Sequence, residues 1–155
     1  MKITNNKGFT LIELLVVIAI IGMLASIVLV SLSSARKKGY DASVQGQMSS
    51  IRSSAEIYYT NNSTSYNNLF TSNNTWASGN ANMQALLTAI SNNVGSTCTA
   101  PGLLACRAGS SASSWAAQAQ LPTTIGGTAS YFCVDSQGAA KTGATQMASG
   151  ATVCP

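Results

Sequence analysis

The chain has no histidine. That removes Ser-His-Asp and Cys-His catalysis, histidine-containing zinc sites and the usual general base at neutral pH. It is also poor in charge. Only 8% of its 155 residues are Asp, Glu, Lys or Arg. The acids Glu13, Asp41, Glu56 and Asp135 stand far apart in sequence, which disfavours a paired-carboxylate site. No two cysteines form the Cys-x-x-Cys pair that zinc sites use. The expectation is a protein with no enzymatic activity, no metal and no cofactor. A net charge of +4 is not by itself a nucleic-acid signature. Proline is missing until Pro101 and cysteine until Cys98.

What is present instead is one long apolar run. Between residues 9 and 32 every side chain is apolar or small except Thr10 and Glu13. As a helix, the run is long enough to cross a hydrocarbon layer of about 30 Å. A membrane span is therefore predicted. Glu13 is out of place in it, because an acid inside a span costs about 2.5–3.5 kcal/mol on insertion scales and such residues usually have a partner. The nearest amines are Lys7 and, if the chain is cut before Phe9, the new α-amino group. A generic signal anchor would account for the length but not for Glu13 or the Gly8-Phe9 junction. A secretory signal would have an acid-free apolar core of about 7–15 residues. Ser33-Ser34-Ala35 could pass for its cleavage site, but the run is too long.

Lys7-Gly8, then Phe9-Thr10-Leu11-Ile12-Glu13 and an aliphatic run to Gly22, resembles the class III signal sequence of type IV prepilins and their relatives. The resemblance implies cleavage between Gly8 and Phe9 by a prepilin peptidase at the cytoplasmic face, followed by methylation of the Phe9 amine. Glu13 would neutralise that amine during assembly. The partners implied are further copies of the chain or other pilins, the prepilin peptidase, the inner-membrane assembly machinery, and the membrane itself before assembly. The location implied is a single pass in the cytoplasmic membrane with the N-terminus inside, then a cell-surface filament. Many pilins kink the helix with a proline near the end of the apolar run. Here Gly22 and Gly39 are the only weak points.

Beyond the span, Arg36-Lys37-Lys38 opposes the positive-inside rule. The four cysteines, all after the span, suit an oxidising compartment, and with the resemblance they place the N-terminus inside. The three cations read as a solvated or headgroup-facing turn, with a salt bridge between subunits as the second reading.

The fold expected is α+β: a long N-terminal helix packed on a small antiparallel sheet of three to four strands, which is the pilin fold the resemblance implies. The segments are a leader (1–8), an apolar half-helix (9–32), an amphipathic half-helix (33–60) and a globular head (61–155). Tyr40, Val44, Met48, Ile51, Ala55 and Tyr58 recur at helical spacing, opposite Gln45, Gln47, Ser50, Ser53 and Ser54. One helix is expected from Phe9 to about Tyr59, stopped by the Asn- and Ser-rich stretch from Thr60 to Ser65. A polar loop with scattered aromatics covers 66–76, and a short helix covers 82–90 with Met83, Leu86, Leu87 and Ile90 on one face and Ser91-Asn92-Asn93 as its stop. Strands are expected at 115–121 and 131–134, then a tight turn at 135–138 and a return over 139–142, with 151–154 a last strand or a tail.

Four cysteines permit three pairings. Cys98 with Cys106 and Cys133 with Cys154 is favoured, since each closes a local loop without crossing. The second bridge would staple the tail to a strand and contribute about 3 kcal/mol. A disulfide-bounded C-terminal loop also resembles type IV pilins, whereas many type II secretion pseudopilins lack it. The primary expectation is a structural pilus subunit. The alternatives are a type II secretion pseudopilin, or a minor or competence pilin that binds DNA. For the latter the cations left after cleavage are Arg36, Lys37, Lys38, Arg52, Arg107 and Lys141.

Overall fold

The computed structural model describes residues 8–70, 78–94, 106–148 and 150–155. Two compact units make up the chain, Met1–Arg36 and Lys37–Pro155. Helix α1 (Leu11–Asn61) starts in the first and ends in the second. In the first unit every described side chain is exposed. By length and composition this stretch of α1 can cross a membrane. So large an apolar surface has to be covered by lipid or by other chains. Arg36, Lys37 and Lys38 lie within this one helix and are exposed. Three good helix formers followed by Gly39 give the helix no reason to stop, since one glycine costs only about 1 kcal/mol relative to alanine.

In the second unit α1 buries Val44, Met48, Ile51 and Ala55. The expected stripe is thus shorter at its ends. Tyr40 stays 48% exposed, a helical turn before the first buried residue. Tyr58 is half-buried and donates its hydroxyl to the Asn67 carbonyl at 2.7 Å. Helix α2 (Ala81–Val94) begins at Asn80, whose Oδ1 accepts the Met83 N–H at 3.1 Å, as an N-cap does. It buries Met83, Leu87 and Ile90. It runs through the expected stop because Asn93 is held from outside: its amide donates to Ser43 Oγ and Gln47 Oε1 on α1, both at 3.1 Å.

Four strands, β1 (Cys106–Ser110), β2 (Trp115–Ile125), β3 (Thr128–Asp135) and β4 (Ala140–Gly143), form an antiparallel meander in chain order. The α+β architecture with a small antiparallel sheet is therefore the observed one. Alternation along β2 sends Trp115, Ala117, Ala119 and Leu121 into the core shared with α1 and α2. The small alanines leave room for the helices, and Trp115 closes one end against Tyr66 and Phe70, with ring centroids 6.5 and 6.4 Å away.

Two features here depart from expectation. Tyr66, Leu69 and Phe70, read as part of a loop, are buried core. The Tyr66 hydroxyl donates to Glu56 at 2.7 Å; burial first, then this bond, pushes its pKa up to about 12, so it remains a donor at ordinary pH. Strand β2 runs past Pro122 because the pairing with β3 shifts between Leu121 and Thr124, a bulge that spares the sheet the missing donor. Asp41 on α1 accepts the Thr123 N–H at 3.2 Å there, and the Thr123 hydroxyl as well. Beyond the bulge, Gly126 and Gly127, at φ +58° and +81°, make the two-residue turn into β3. Of the two readings of residues 151–154, a last strand or a tail, the tail is the one observed.

Ile51 is wholly buried, whereas an added Cβ at Gly46 would meet nothing within 4 Å. Ile51→Ala should cost about 2–5 kcal/mol in thermal unfolding of the detergent-solubilised chain, while Gly46→Ala should leave stability unchanged or raise it by up to about 1 kcal/mol. Equal effects at the two positions would contradict this packing.

Candidate assembly site and C-terminal strap

Gly8, Phe9 and Thr10 precede the helix and are exposed, Phe9 at 86%. The helix starts at Leu11 rather than Phe9 because Thr10 caps it. Thr10 Oγ1 accepts the Glu13 N–H at 3.3 Å, and Glu13 Oε2 accepts both the N–H and the hydroxyl of Thr10, each at 2.8 Å. This is a reciprocal capping box, with its carboxylate also at the positive end of the helix dipole. Of the partners expected for Glu13, Lys7 lies outside the described residues and a Phe9 amine exists only after cleavage. Thr10 is the partner in this chain. Thr-x-x-Glu before an apolar run is the sequence signature of such a cap. The Gly8-Phe9 peptide bond lies outside regular structure.

The other acids are also engaged. Asp41 holds the β2 bulge and Glu56 holds Tyr66, as above. Asp135 is 1% exposed. Its Oδ1 accepts the N–H groups of Gln137 and Ala139 at 3.0 and 2.9 Å, and its Oδ2 accepts that of Cys154 at 3.0 Å. Three donors compensate a carboxylate buried at the β3–β4 turn. Arg52 from α1 reaches the same turn, donating to the carbonyls of Asp135 and Ala139 at 3.3 and 2.6 Å. Among the described residues, no cluster of three His, Cys, Asp or Glu side chains could hold a metal ion.

The C-terminal residues lie as a strap across the sheet face opposite the helices. Cys133 on β3 is bonded to Cys154, and with Ala116 and Met147 the pair forms a second buried cluster. Buried Gln118 donates to the Thr145 carbonyl at 3.0 Å and accepts the Met147 N–H at 2.6 Å. Arg107 donates to the Met147 carbonyl at 2.6 Å, and Ser114 bonds Thr152 at 3.0 Å. Gly109 permits the contact at β1: a Cβ there would stand 2.6 Å from the Ala151 carbonyl oxygen. Cys106 is also disulfide-bonded, while Cys98, its expected partner, lies outside the described residues. Arg52 and Arg107 are thus spent on backbone carbonyls; Lys141 is exposed on β4.

A family model described as the prokaryotic N-terminal methylation motif matches residues 3–29, the whole capping box included. The chain resembles the type IV pilins. It is 44% identical over 69 residues to the type IV wide pilus major component PilA4 of Thermus thermophilus. The alignment covers 44% of this chain, which spans about half (49%) the length of that relative. No solved structure matches the chain.

The close approach at Gly109 gives a test of the strap. Gly109→Ala should cost about 1–3 kcal/mol through overpacking and make the Cys133–Cys154 bond faster to reduce with a soluble thiol, read by mass spectrometry of alkylated protein. A reduction rate equal to that of the parent chain would contradict the docking described.

Proposed function

We propose that the chain is the structural subunit of a type IV pilus or pilus-like filament and carries no enzymatic activity. The observation that carries this is an apolar stretch of helix whose described side chains are all exposed, headed by the Phe9–Glu13 block that the methylation motif matches. The similarity to a wide-pilus component supports it. In this reading the precursor sits in the cytoplasmic membrane with its N-terminus inside. A prepilin peptidase cuts between Gly8 and Phe9, and the Phe9 amine is methylated. The assembly machinery then moves the helix from lipid into a bundle of like helices.

Moving the helix costs little where neighbouring apolar helices replace the lipid contacts. Charge is the harder problem, because an unpaired carboxylate in a dry core is expensive. Before cleavage Thr10 compensates Glu13 with two hydrogen bonds but no charge. After cleavage a Phe9 amine supplies the cation, and Glu13 takes it as partner in the filament. The alternatives are a type II secretion pseudopilin and a DNA-binding minor pilin. The strap closed by Cys133–Cys154 favours a pilin over the pseudopilin, and the commitment of Arg52 and Arg107 to backbone carbonyls leaves Lys141 as the exposed cation on the sheet, little basic surface there for DNA.

Glu13→Gln keeps an acceptor for the capping box and removes the charge, whereas Glu13→Ala removes both. Both variants should insert and be cleaved normally yet yield at least about tenfold fewer filaments in sheared surface fractions, because each added subunit would bury a helix end without its ion pair. Abundant filaments from Glu13→Gln would overturn the role given to its charge.

A further inference from the structure

Arg36, Lys37 and Lys38 follow one another on α1 and are all exposed. Consecutive helical residues point about 100° apart, so the three side chains wrap more than half of the helix circumference. They form a collar rather than a stripe. The chain's own carboxylates do not serve it. Asp41, one turn further on, spends both oxygens on Thr123; Glu56 holds the Tyr66 hydroxyl; Asp135 is buried under three N–H donors; Glu13 is in the capping box at the far end of the apolar run.

The distance along the helix says which anion is available. From Glu13 to Arg36 the rise is about 35 Å at about 1.5 Å per residue. The hydrocarbon core is about 30 Å thick, and about 40–45 Å with its headgroup layers. With Glu13 at one interface, the collar reaches the headgroup layer of the opposite leaflet, where flexible cationic side chains can extend to phosphate.

We propose that Arg36, Lys37 and Lys38 bind the phosphates of anionic lipid headgroups, and that this contact fixes the depth of the span so that Glu13 lies at the opposite interface instead of in hydrocarbon. The proposal rests on residues 9–32 being a membrane span, as in the function proposed above. Lipid contact at the collar retains the chain in the bilayer before assembly. It is electrostatic and weakens with salt.

The test is lipid selectivity around the full-length chain reconstituted in vesicles of mixed phosphatidylglycerol and phosphatidylcholine, read by electron paramagnetic resonance of spin-labelled lipids. The parent chain should prefer phosphatidylglycerol several-fold at low ionic strength and lose the preference as salt rises. The combined variant Arg36→Gln, Lys37→Gln, Lys38→Gln should show almost none, while Lys141→Gln on the exposed strand keeps it. No preference in the parent chain, or an undiminished one in the triple variant, overturns the proposal. So does a triple variant that loses retention of duplex DNA in detergent but keeps its lipid preference. Resistance to carbonate extraction separates the underlying reading: a chain that does not insert defeats the span itself, and one that inserts without selectivity defeats only the collar.

Discussion

An apolar helix surface that no described residue of the chain covers is the constraint on which the rest depends. From Leu11 to Leu32 the side chains stand exposed, and water cannot be their permanent neighbour at any reasonable cost per unit of apolar area. Lipid and other copies of the same helix are the two environments that suit them. A protein that passes from one to the other needs little chemistry of its own. It needs an apolar surface indifferent to the exchange and a polar group that makes one arrangement of helices better than the others. Glu13 is placed to be that group, and the capping box with Thr10 shows how the carboxylate is compensated while no amine is available.

The second unit meets a different demand. Among the described residues its sheet has four strands, and small domains gain limited stability from their cores. The helices cover one face. The other is covered by a segment with no secondary structure of its own, held by a disulfide, a buried glutamine, an arginine and a buried aspartate. Five charged side chains of this unit are used as internal fasteners, Asp41 on a bulge, Glu56 on Tyr66, Arg52 and Asp135 on a turn and Arg107 on the strap, while Lys37, Lys38 and Lys141 stay exposed.

Much of this was legible in the sequence where a period carried it. The steps of Val44, Met48, Ile51 and Ala55 gave the buried face of α1, and Tyr131 to Val134 marked the strand at the centre of β3. What was not legible depended on partners distant in sequence. Strand β1 is Cys-Arg-Ala-Gly-Ser, poor in strand-forming residues and ordered by pairing with β2. Tyr66, Leu69 and Phe70 are too few, in too polar a stretch, to carry a period, and contact with Trp115 and the helices shows why they are buried. Other misses were local signals passed over: the Gly126-Gly127 turn, and Thr10 as the cap that joins Glu13. Both are short-range and could be read without any structure.

The central claim is that the chain is a precursor cut at Gly8-Phe9 to become a filament subunit. Intact mass and N-terminal sequencing of the protein purified from the surface fraction of its host test it most directly. The account predicts a mature chain that begins at N-methylated Phe9 and is lighter by the hydrogens its disulfides remove. A chain that keeps Met1 to Gly8, or one cut near Ala35, would contradict it and leave a membrane anchor or a secreted head in its place.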